Sequence, residues 1–119
     1  MVMSMCDKSI LTGRVASKAP AMLSGRICKC VDDMACIGDH ELKCFVARDT
    51  SISDMPLIIA ADVVLTEHGG LLSHAAIVCR ELGKPCIVAI QHLCDFVDTG
   101  DVVTLDFESG TVKVVKEHI

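Results

Sequence analysis

Thr66-Glu67-His68-Gly69-Gly70-Leu71-Leu72-Ser73-His74-Ala75-Ala76-Ile77-Val78-Cys79-Arg80-Glu81-Leu82-Gly83-Lys84-Pro85 passes from an apolar run through two glycines into a segment of helix formers. The run before it, Val63-Val64-Leu65, reads as a strand spanning Asp62 to Leu65, and the glycines read as a tight turn. Ser73 is placed to cap a helix, because its hydroxyl can accept a hydrogen bond from a first-turn amide that has no partner inside the helix. Ala75, Ala76, Val78, Cys79 and Leu82 give the helix an apolar face, Gly83 supplies a left-handed end, and Pro85 blocks continuation. The stretch is therefore a strand, a turn and a helix bounded at both ends.

His74 falls in the first turn of that helix. The amino end carries partial positive charge, which disfavours imidazolium and leaves a neutral ring with a nucleophilic lone pair. If the ring took up a phosphoryl group, the added negative charge would lie beside the helix terminus and the amides of the glycine turn, an anion-binding arrangement. The plainer reading of an isolated Ser-His pair is a polar first-turn residue, so the weight rests on the surrounding pattern.

Working outward, Cys86-Ile87-Val88-Ala89-Ile90 is a continuous apolar run suited to a buried strand, parallel to 62–65 in a right-handed βαβ unit. Leu93 to Val97 suggests a helical turn. Val102-Val103-Thr104-Leu105-Asp106 and Thr111-Val112-Lys113-Val114-Val115, flanking Glu108-Ser109-Gly110, read as a closing hairpin. On the other side, Leu42 to Ala47 alternates as a strand that delivers Arg48, Asp49, Thr50 and Ser51 to its carboxyl end, and Ser53-Asp54 caps a short helix that holds Pro56 and runs to about Ala61. Asp32, Asp33, Gly38 and Asp39 form a polar turn interval. Leu11–Ala16 and Gly25–Cys28 read as strands joined by a loop. Residues 1–10 read as a lead-in, with a single domain over 11–119.

The pattern from Thr66 to Val78, followed by Arg80 to Pro85, resembles the active-site signature of the PEP-utilising enzymes, which include pyruvate phosphate dikinase, phosphoenolpyruvate synthase and enzyme I of the sugar phosphotransferase system. The resemblance implies an α/β, swivelling β/β/α domain with mixed sheets and a βαβ unit around the phosphohistidine turn. It implies that His74 is the phosphorylated residue, that Gly69, Gly70, Ser73 and Thr50 bind phosphate, and that Thr66 and Glu67 support the turn. Thr50 to Gly69 can be laid on the family pattern without a gap, with Ile52 where many members have proline. Leu72 stands where the dikinases switched by phosphorylation have threonine, so that form of regulation is not implied. His68 reads as an exposed turn residue in preference to a phosphate contact, and Arg80 as a docking or salt-bridge residue on a different helix face from His74.

At 119 residues with a net charge of −5, the chain is large enough for one core and small for an enzyme binding two substrates unaided. Interspersed charges give nucleic-acid binding no support, and no apolar run suits a membrane span or a signal peptide, so a cytoplasmic protein is expected. Eight cysteines without an export signal read mostly as reduced core residues. Cys28, Cys30 and Cys36 form a weak alternative zinc motif, but no metal site is expected.

The expected function is a stand-alone phosphohistidine carrier in a split phosphoenolpyruvate synthase or dikinase-like system. The resemblance implies two partners, an ATP-grasp-type nucleotide-binding subunit and a PEP/pyruvate-binding subunit. No cofactor is expected in this chain, and Mg²⁺ is expected with the partners. A carrier serving a different acceptor and a non-catalytic regulatory or binding module of the same fold are the alternatives, the second separable by replacing His74.

Overall fold

The computed structural model describes residues 8–19, 22–38 and 40–115. Residues 1–7 of the expected lead-in, and Cys6, Pro20, Asp39 and His118, lie outside them. The elements in chain order are β1 (Lys8–Thr12), β2 (Arg14–Ser17), β3 (Leu23–Cys28), α1 (Val31–Ala35), β4 (Leu42–Ala47), a 3₁₀ turn (Ile52–Asp54), α2 (Met55–Ala60), β5 (Val63–Thr66), α3 (His74–Leu82), β6 (Cys86–Val88), α4 (Leu93–Phe96), β7 (Val102–Asp106) and β8 (Thr111–Val115). The eight strands form one continuous mixed sheet in the order β1-β8-β7-β3-β4-β5-β6-β2. β3, β4, β5 and β6 are parallel neighbours, and β7, β8 and β1 continue the sheet in antiparallel sense.

The layers follow from which side chains alternate to which face. On β5, Val64 packs with Met34 of α1, Ile58 of α2 and Ala75, Ala76 and Cys79 of α3. Val63 and Leu65 point the other way, into a cluster with Val103 and Leu105 of β7 and Val112 and Val114 of β8. Helices α1, α2 and α3 cover one face, and the antiparallel end of the same sheet, with Leu93 of α4, covers the other. Both faces of the parallel strands are thus dry, as their unbroken apolar runs require. This is the expected α/β arrangement in β/β/α layers, its strands joined in one mixed sheet.

Several sequence readings need correction. β1 begins at Lys8, so residues 8–10 join the sheet. The segment read as one strand over 11–16 is two, broken at Gly13, and the strands go to opposite ends of the sheet order: β1 pairs with β8 and β2 with β6. One stretch of chain therefore ties the two ends of the sheet together. At the crossing, the Gly13 amide donates to the Gly110 carbonyl at 2.9 Å. The interval around Asp32 and Asp33 contains a short helix, α1. Asp33 accepts from the Lys29 amide and the Thr99 hydroxyl, which hold its carboxyl below the usual range. β6 stops at Val88 because Ala89 turns to φ 57°, after which the Ile90 amide returns to the Thr66 carbonyl at 3.1 Å.

Among the described residues no helix is long and apolar enough to cross a membrane. The seven cysteines among the described residues are free thiols. Burial pushes the Cys28 and Cys44 thiols up to about 11 and about 12, so both are protonated and unreactive at neutral pH. Cys28 is buried while Cys30 and Cys36 are exposed, and no group of three or more His, Cys, Asp or Glu among the described residues is placed to hold a metal ion.

Candidate active site

The carboxyl ends of β4 and β5 lie side by side, and the residues that follow them meet the start of α3. The pairing continues past the strands: the Glu67 amide donates to Ala47 and the His68 amide to Arg48, at 3.1 and 2.8 Å. That register brings Thr50, two residues past Arg48, to His74. The Thr50 hydroxyl lies 2.8 Å from His74 Nδ1. A small depression of about 60 Å³ opens here, lined by Asp49, Thr50, Thr66, His68, Ser73 and His74.

The loop from β5 to α3 is held by its own residues. The Thr66 hydroxyl donates to the His68 carbonyl at 2.7 Å, and Gly69 takes φ 106°, a conformation that a side chain would strain. Its missing Cβ would also lie 3.0 Å from Ser73, whereas the space above Gly70 is open. Ser73 caps α3 as its type predicts: its hydroxyl accepts from the Ala76 amide at 3.4 Å and donates to the Gly70 carbonyl at 2.8 Å. Gly83 closes the helix in the left-handed region. Small residues, Ala75, Ala76 and Cys79, let α3 lie close against the sheet, which fixes the height of His74. Leu82, counted by its spacing among the apolar residues of this helix, is 44% exposed.

Glu67 is anchored from two elements. Its carboxylate accepts from the Cys94 amide and from the Arg48 guanidinium, each at 2.9 Å. The amide bond, with Arg48 adding to it, holds its carboxyl below the ordinary range, so Glu67 stays ionised at neutral pH. Arg48 also lies 3.6 Å from Asp95. Arg80 makes a different contact from the salt bridge considered above. It donates to the carbonyls of Ala16 and Leu71, stitching the signature loop to β2. Sequence spacing places Arg80 on the helix correctly but carries no information about β2, which lies more than fifty residues earlier. Asp49 and the Cys94 amide were likewise not singled out, because neither belongs to a motif.

These elements can hold an imidazole at a helix amino terminus, fix one of its nitrogens and leave room beside it. The family profile described as "PEP-utilising enzyme, mobile domain" matches residues 41–110. Over 104 residues the chain is 35% identical to the prodigiosin synthesizing transferase PigC of Serratia marcescens, covering 87% of this chain and 12% of that one. It is 36% identical over 103 residues to the phosphoenolpyruvate synthase of Pyrococcus furiosus, with the same two coverages. The chain thus spans about 12% of the length of these relatives. Among solved structures, the NMR solution structure of an Enzyme I protein aligns with a TM-score of 0.53 at 31% identity, over 66% of this chain and 32% of that one. Aconitase X of Thermococcus kodakaraensis shares the fold, with a TM-score of 0.54 at 15% identity over 91% of this chain and 99% of that one. With more than half of its residues on the profile and its signature loop built around His74, the chain belongs to the family of PEP-utilising enzyme mobile domains.

Proposed function

We propose that this domain is a phosphohistidine carrier that moves a phosphoryl group between a nucleotide-binding partner of the ATP-grasp type and a PEP/pyruvate-binding partner, as separate subunits of a split synthase-like system in the cytoplasm. The observation that carries the reading is the contact between Thr50 and His74 Nδ1 at 2.8 Å. With the proton on Nδ1 donated to the Thr50 oxygen, the lone pair lies on Nε2, and Nε2 is the attacking atom. A bond forms from Nε2 to phosphorus while the bond from phosphorus to the donor's leaving oxygen breaks, and that oxygen keeps the electron pair. The ring retains its Nδ1 proton and gains positive charge, which Thr50 stabilises. The second transfer reverses these roles toward the acceptor.

The amino end of α3 and the amides of Gly69 and Gly70 favour the arriving negative charge. Ser73 acts through the shape of the loop, because its hydroxyl already donates and accepts within it. Thr66 and Glu67 act in the same indirect way. Mg²⁺ belongs to the partners that bind the nucleotide and PEP.

The test is the intact mass of the chain after incubation with extract of its host's cells, separately with ATP and with PEP, followed by fragmentation. The expected result is an acid-labile gain of one phosphoryl group on His74. No gain from an extract that loads a known phosphocarrier would overturn the reading in favour of a non-catalytic module. Thr50→Val, which keeps the shape and removes the hydroxyl, is expected to slow loading by about tenfold, the scale of one hydrogen bond to a charged group. Unchanged loading in a folded variant would remove Thr50 from the mechanism.

A further inference from the structure

His68, read from the sequence as an exposed turn residue, stands between two carboxylates. Its Nδ1 is 3.4 Å from Asp49 Oδ2 and its Nε2 is 3.5 Å from Glu67 Oε2. Its backbone is fixed on both sides, by the amide's bond to Arg48 and by the Thr66 hydroxyl on its carbonyl. The ring lines the same depression as His74.

Carboxylates outnumber guanidinium groups in the chain of ion pairs that His68 joins. Asp49, Glu67 and Asp95 supply three negative groups, while Arg48 is shared between Glu67 and Asp95. A phosphoryl group on His74 brings further negative charge to the same place. A neutral imidazole that donates to Asp49 leaves the Nε2 lone pair 3.5 Å from the Glu67 carboxylate, whereas a protonated ring puts positive charge beside both carboxylates. We propose that protonated His68 is the counter-charge of phosphorylated His74, a cation braced between Asp49 and Glu67 that favours formation of the phosphohistidine. By linkage, loading of His74 then favours protonation of His68 to the same extent. The ionised state of Glu67, fixed by the Cys94 amide and Arg48, keeps one of the two bracing charges in place.

This inference rests on the carrier reading of His74, and a chemical donor separates the two. The whole chain is treated with phosphoramidate, and phosphoryl on His74 is followed by fragmentation mass spectrometry in the unmodified chain, His68→Gln and His68→Arg. In this reaction the bond from His74 Nε2 to phosphorus forms as the donor's own phosphorus–nitrogen bond breaks, and ammonia leaves with the electron pair. At about pH 6 the unmodified chain is expected to load about fivefold faster than His68→Gln, the scale of one charge at a few ångströms in a solvated site. At a higher pH, where the ring has given up its second proton, that ratio is expected to fall close to one. His68→Arg should exceed His68→Gln at both values. A ratio that does not change with pH, an Arg variant no faster than the Gln variant at the higher pH, or no phosphoryl on His74 in the unmodified chain would each overturn the proposal. Failure of the carrier reading appears elsewhere, as no exchange with ATP or PEP in extract, because phosphoramidate needs no partner.

Discussion

His74→Gln is expected to take up no phosphoryl group from any extract or donor that loads the unmodified chain, and to melt within a few degrees of it. The glutamine amide fills part of the imidazole's space and can still meet the Thr50 hydroxyl, so the loop has no reason to open. What it lacks is a basic nitrogen with a free lone pair, and the Thr50 hydroxyl contacts the ring of His74. Because His74 is the first helical residue and only partly buried, the change in stability is expected to stay within about 0.5 kcal/mol. Intact mass and a thermal melt on the same sample separate the two effects. A variant that still carries an acid-labile phosphoryl group would move the carrier role to another histidine, with His68 the first to examine.

Gly13→Val is expected to be strongly destabilising. A Cβ built at Gly13 would lie 2.5 Å from Ile90 Cγ1, 2.6 Å from the Val88 carbonyl and 2.8 Å from Ile87 Cγ2. One of these is backbone in β6 and the others are rooted in the buried cluster, so nothing nearby can step aside cheaply. Overpacking of this kind costs about 1–3 kcal/mol and sometimes more, against a total stability of about 5–15 kcal/mol for a small domain. The melting temperature is expected to fall by about 10 °C or more. Gly70→Ala is the control, since its Cβ would meet open space and it does not have a positive φ. Equal melting temperatures for the two variants would mean that the crossing of β1 and β2 over β6 is looser than the described contacts.

Much of the site was legible because its signals are local. Ser73 and Gly83 delimit α3 through hydrogen bonds that span three to five residues, and the β5 run could only be a buried strand. Thr50 was within reach because a strand that ends in a threonine loop lies in the family pattern, although its contact proved to be with the ring nitrogen. What escaped is non-local. Nothing in Leu11 to Ala16 announces that Gly13 divides it between two ends of a sheet, since the partners are β8 and β6, some seventy to a hundred residues away. Periodicity could not see Ala89 leave the strand either, because the residues on both sides are equally apolar. The bracing of His68 depends on the parallel register of β4 and β5, which sets Asp49 opposite the turn.

The tie made by residues 8–17 also has a meaning in time. The chain is synthesised from its amino end, and Lys8–Thr12 finds its pairing partner only in Thr111–Val115. Arg14–Ser17 must likewise await Cys86–Val88. A nascent chain can therefore already contain every residue that lines the depression, from Asp49 to Ala75, while β1 still lacks its partner β8. Of the strands described, β1 is the first to be synthesised, and its partner β8 is the last.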